Sequence, residues 1–178
     1  MMQHTFFSML TWRKPPLTDE HLATLAIEAI GACAATEDAL SALPSGVDAE
    51  PSYADHATAL LALDSRLADL HCALLSGRSR AELRNLQLLL LAQVGTWLNV
   101  VRATARTLRN DSLRRAPQAA RADDEARGWR EAVPGQKLRL EQELERLHRL
   151  EPDFVARLEL EALTRPADQP EREGPLAA

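Results

Sequence analysis

Glu145 and His148 stand at Glu-x-x-His spacing, which puts both side chains on one face of a helix. Di-iron and di-manganese helical bundles build their centres from two such pairs plus carboxylates of further helices. This chain has one pair, and Arg146 and Arg149 flank it, so it reads as part of a solvated face. His71 and Cys72 are adjacent but have no spaced second pair, which leaves a zinc site without its ligand set. A thiol nucleophile at Cys33 or Cys72 needs a neighbouring base, and nothing local supplies one. His21 and His56 fall near predicted helix starts and read as surface residues. The 7 glycines are scattered rather than gathered into a phosphate-binding loop. Neither a G-x-S-x-G elbow nor a His-Glu-x-x-His zinc motif occurs. The expectation is therefore no catalytic residue, no metal and no cofactor.

What remains is surface, and it centres on residues 79–110. That stretch has no proline and one glycine, Gly95, and residues 86–101 read LQLLLLAQVGTWLNVV. Ser79 and Glu82 have the form of a capping box. Leu83, Leu86, Leu90, Val94, Trp97, Val101 and Leu108 recur at three- and four-residue steps and so share one stripe. The opposite side is polar at its ends, with Arg80, Arg84 and Gln87 at one and Asn99, Arg102, Arg106 and Arg109 at the other. Between them stand Leu88, Leu91, Gly95 and Leu98. A helix this apolar must be covered on more than one side. At 1.5 Å per residue it is roughly 47 Å long. As a membrane span, the run falls short of the ~20 residues required and is interrupted by Gln87, Gln93 and Asn99, so no membrane span is expected.

The 178 residues suit one domain with a proper core. Leu and Ala dominate, while aromatics are only 4%, which favours helix over sheet. Cys33 and Cys72 fall in separate helical patterns and read as free thiols of a reducing compartment. Charge is uneven. Residues 1–78 hold four basic and ten acidic side chains, residues 79–121 eight and two, and residues 122–178 nine and fourteen. The segments are thus −6, +6 and −5, consistent with the overall −5. The basic middle either packs between acidic neighbours or offers a strip to an acidic protein partner. The acidic whole argues against nucleic acid.

Residues 1–16 form an apolar segment with Phe6, Phe7 and Trp12, ended by Pro15 and Pro16. It lacks the plan of a signal peptide, and a cytoplasmic protein is expected. Either this segment docks on the domain or it is an exposed arm. The first helix is predicted from Thr18, with Leu22, Leu25, Ala29, Cys33, Leu40 and Leu43 inward, ending at Pro44 and Gly46. Ser52 and Asp55 resemble a cap for a second helix running to Ser76 on Leu60, Leu63, Leu67, Leu70 and Leu74. Gly77 is expected to stop it in a left-handed conformation, and helices two and three should form an antiparallel hairpin. Pro117 should open a short helix that ends at Val133-Pro134-Gly135. A last helix from Gln136 carries Leu140, Leu144, Leu147, Phe154 and Leu158. Pro152 either kinks it or starts another. Residues 165–178 read as a disordered tail.

The predicted fold is all-α: an antiparallel bundle of four main helices and one or two short ones over residues 17–164, organised around 79–110. The predicted function is a non-catalytic protein-interaction module, such as an adaptor, secretion-type chaperone, immunity protein or regulator. Its binding residues are Phe6, Phe7, Trp12, Leu88, Leu91, Leu98, Arg102, Arg106 and Arg109, forming an apolar patch with an arginine rim. A ligand- or metal-binding bundle using Glu145, His148 or Cys72 is the second reading. Self-association through the last heptad seam, giving a homodimer, is the third.

Overall fold

Thr18 caps the first helix. Its side-chain oxygen accepts from the His21 backbone N–H at 3.2 Å, satisfying one of the donors a helix start leaves open. The computed structural model describes residues 15–43, 53–113 and 115–164. They form α1 (Asp19–Ser41), α2 (Tyr53–Ser76), α3 (Arg84–Ser112), α4 (Ala116–Leu150) and α5 (Pro152–Thr164). A single 3-10 turn, Ala81–Leu83, precedes α3. Among the described residues there is no strand, and the predicted all-α bundle is what is found. Phe6, Phe7, Trp12, the loop at 44–52 with its Ser52 cap, and the tail at 165–178 lie outside the described residues.

Side-chain pairs set the register. Asp64 meets Arg102, and a Cβ added at Gly95 would sit 3.5 Å from the His71 ring, so α2 runs antiparallel to α3. Glu125 with Arg106, Gln136 with Thr96 and Glu143 with Asn85 run α4 antiparallel to α3 on another flank. Asp19 lies at Arg80, and Leu40 and Trp97 share a cavity, so α1 runs with α3. α5 turns back beside α1, with Arg157 facing Glu20. The centre of α3 is thus enclosed, and Leu83, Leu86, Leu90, Val94 and Val100 are fully buried. By length and composition alone α3 is apolar enough to cross a membrane, and half of its most apolar window is buried inside the bundle.

Four expectations are corrected. The first is the break at Pro134. It lies inside one continuous α4 of 35 residues. Ala119, Ala126, Val133, Leu140 and Leu147 are all buried and recur every seven residues straight through the proline. A seam packed against α3 along its whole length outweighs the N–H that one proline removes. Pro152 does end the helix, and α5 starts there.

Gly77 is the second. It has no positive φ; a Cβ there would come within 3.1 Å of Leu17 Cβ and 3.2 Å of its Cδ1. Glycine is needed there for close approach, because residues 15–17 pair with Arg78: Leu17 N–H donates to Arg78 O at 2.9 Å and Arg78 N–H to Pro15 O at 3.0 Å.

The third concerns Ser79, which caps nothing: the 3-10 turn has no side-chain cap bond at its start. Its N–H and hydroxyl instead donate to Gln87 Oε1 at 3.1 and 2.8 Å.

The fourth is Gln87, placed by periodicity on the polar side but only 2% exposed. Its Nε2 donates to the carbonyls of Leu74 and Gly77 at 2.6 and 3.0 Å, closing the end of α2.

Arg80 fastens this same end of the bundle. Its guanidinium reaches Asp19 at 3.0 Å, Glu82 at 3.3 Å and Glu151 at 2.6 Å. The hydrogen bond to Glu151 first, and then that to Asp19, push the Arg80 pKa further up, and Arg80 holds the Glu151 carboxyl below its usual value.

Candidate apolar groove with an arginine rim

A groove of about 600 Å³ lies between the C-terminal half of α3 and the N-terminal half of α2. The α3 wall carries Val101, Ala105 and Leu108, and the α2 wall carries Leu60 and Leu61. Leu60 and Val101 are buried at 3% and 1%, forming the floor, whereas Leu61 is 71% exposed at the lip. Leu60 belongs to the inward heptad of α2. Leu61 is one position off it, so its side chain is turned some 100° from the core.

The predicted arginines come together here. Arg102, Arg106 and Arg109 all line the groove, because steps of four and three residues keep one face of a helix. Arg102 Nε donates to Asp64 Oδ1 at 2.6 Å and Nη2 to Oδ2 at 3.4 Å, a fork across the two walls. The Asp64 hydrogen bond pushes the Arg102 pKa up. Arg106 Nη2 donates to Glu125 of α4 at 2.8 Å. All three arginines are exposed, and Arg109 carries no ion pair with a described residue. Exposed pairs of this kind contribute little to stability, so these guanidiniums can exchange partners at low cost.

The predicted leucines do not sit with them. Leu98 is buried in the core at 7% exposed, Leu91 is partly buried against it, and Leu88 is 47% exposed near the other end of α3. The apolar part of the patch instead comes from Leu60, Leu61, Ala105 and Leu108. Leu61, an apolar residue off the α2 stripe, was the signal for it in the sequence. No family model, curated protein or solved structure matches the chain.

The residues whose types could serve metal or covalent chemistry are dispersed. Glu145 and His148 are exposed on α4, and no cluster of three His, Cys, Asp or Glu side chains suited to a metal occurs among the described residues. Cys33 is buried, and burial pushes its thiol up to about 12, so it stays protonated and unreactive near neutral pH. Cys72 is exposed on α2.

Proposed function

We propose that this protein is a non-catalytic interaction module whose α2–α3 groove receives an amphipathic helix of a protein partner. One observation carries the reading. Arg102, Arg106 and Arg109 of the basic segment line one groove, directly above an apolar floor. A third helix laid in the groove between α2 and α3 buries its apolar stripe against Leu60, Leu61 and Leu108. Acidic side chains flanking that stripe then meet Arg102, Arg106 and Arg109, for which carboxylates are the matching geometry. An apolar centre with a polar rim is the usual anatomy of such a surface.

The test compares the wild type with Leu61→Asp and with the triple variant Arg102→Glu, Arg106→Glu, Arg109→Glu, using Leu88→Asp as control. Affinity purification from the native cell, followed by mass spectrometry and a binding isotherm with the captured segment, reads the effect. Burying one leucine contributes about 1.5–3 kcal/mol, so Leu61→Asp should weaken binding by about ten-fold or more. The triple variant should abolish it, while Leu88→Asp leaves it unchanged. Unchanged partner recovery by a triple variant with an intact circular dichroism spectrum refutes the assignment.

A further inference from the structure

A second apolar groove, of about 380 Å³, lies among α1, α4 and α5. Ile27, Ile30, Leu144 and Val155 line it, and each is partly buried against the core. Its rim is different in sign from the first. Glu145 and Glu159 stand there with His148, all exposed, and no arginine or lysine lines it.

We infer that this groove is filled by residues 1–14 of the same chain. Their sequence, MMQHTFFSMLTWRK, carries Phe6, Phe7, Met9, Leu10 and Trp12 and no acid, with Arg13 and Lys14 at its end. A basic apolar segment complements an apolar floor with a glutamate rim, and it is repelled by the arginines of the α2–α3 groove.

Reach agrees with charge. The Pro15 carbonyl is fixed by the Arg78 N–H, beside the first turn of α1. From the start of α1, Ile27 lies about 12 Å and Ile30 about 17 Å along the axis at 1.5 Å per residue. Leu10 and Phe6 precede Pro15 by five and nine residues, which extend to about 17 and 30 Å at ~3.3 Å each. Phe6 therefore reaches the whole glutamate-rimmed groove with slack, and Leu10 reaches Ile27 with slack and Ile30 when extended. Leu61 is seventeen residues back along α2 from Arg78, about 26 Å away. Leu10 falls short of it, and Phe6 arrives only if every residue is extended.

The other end of the chain fits less well. Residues 165–178 start closer to the groove but hold one large apolar side chain, Leu176, and more acid than base. They match neither the floor nor the rim.

Cross-linking tests the placement on the full chain. In a Cys72→Ser background, Phe7→Cys is combined with Ala162→Cys at the groove, or with Leu61→Cys at the other one, and treated with a short bis-maleimide. Docking raises the local concentration of the tethered thiol, so the Ala162 pair should link within one molecule at least about ten-fold faster than the Leu61 pair. Hydrogen exchange gives a second readout that needs no cysteines. In Phe6→Ser, Phe7→Ser the amides of α5 should exchange about three-fold faster or more, with α2 unchanged. Linking to Leu61 at an equal or greater rate overturns the inference. So do links formed only between molecules, which place a second copy in the groove. α5 exchange that is the same with and without the two phenylalanines, which leaves the groove to the tail or to solvent, overturns it too.

Discussion

Replacing Gln87 by leucine keeps the side chain's volume and removes all of its hydrogen bonding. In the native protein that side chain accepts from Ser79 N–H, Ser79 Oγ and Arg84 Nη1 and donates to two carbonyls, at 2.6–3.1 Å. Arg84 can turn to water and the Ser79 hydroxyl can rotate, so neither is left stranded. Three backbone groups are stranded: Ser79 N–H and the carbonyls of Leu74 and Gly77. The Leu74 carbonyl belongs to the last turn of α2, where no intrahelical donor remains, and Arg78 N–H is committed to Pro15. Each buried group left unpaired costs about 1–3 kcal/mol, partly offset by the better burial of leucine. The expected loss for Gln87→Leu is about 3–4 kcal/mol, or roughly 6–16 °C in Tm for a chain of this size. Urea unfolding followed by circular dichroism measures it, with Leu88→Gln as an exposed control that should shift by less than about 0.5 kcal/mol. A Gln87→Leu protein within about 1 kcal/mol of wild type refutes the idea that this glutamine closes the α2–α3 turn.

Pro134→Ala should stabilise by about 1–3 kcal/mol, since it returns an N–H to the middle of α4 at an exposed position; a lower urea midpoint would contradict this. Gly95→Ala should stabilise by about 0.5–1 kcal/mol, because its Cβ meets only the His71 ring at ordinary contact distance, whereas Gly95→Leu should lower Tm by driving into that ring. Glu143 is buried and held below its usual pKa, first by Arg146 and then by Asn85. A depressed folded-state pKa gives stability that is full above the unfolded value of ~4.3 and is lost as pH falls through the folded one. Urea midpoints should therefore drop below about pH 4, and Glu143→Gln should flatten that drop; an unchanged acid limb would exclude this carboxylate as a cause.

The greasy stripe of α3 was readable because seven apolar positions at helical spacing leave one orientation, and Leu83 through Val101 occupy it. The hairpin of α2 and α3 followed from its short link. What misled was local punctuation. Val133-Pro134-Gly135 has the form of a terminator, yet the seven-residue seam beneath it ties α4 to α3 on both sides, and tertiary packing prevailed. Ser79 and Glu82 fit a capping box, but the serine is drawn to Gln87, a partner eight residues on. Gln87 itself looked exposed because periodicity sees only its own helix, whereas its role is set by the carbonyls of α2. The groove was half visible: the arginines follow from charge and spacing, and the apolar walls depend on how α2 is set against α3, which no local pattern encodes.

The Arg80 fastening to Asp19, Glu82 and Glu151 and the arginine-rimmed groove lie at opposite extremities of the bundle. That fastening joins α1, the 3-10 turn and the end of α4 but not α2, so at that extremity α2 is tied to α3 through the Gln87 bonds to Leu74 and Gly77. Severing the Arg80 pairs should therefore leave the α2 wall of the groove in place, whereas removing the Gln87 amide loosens it.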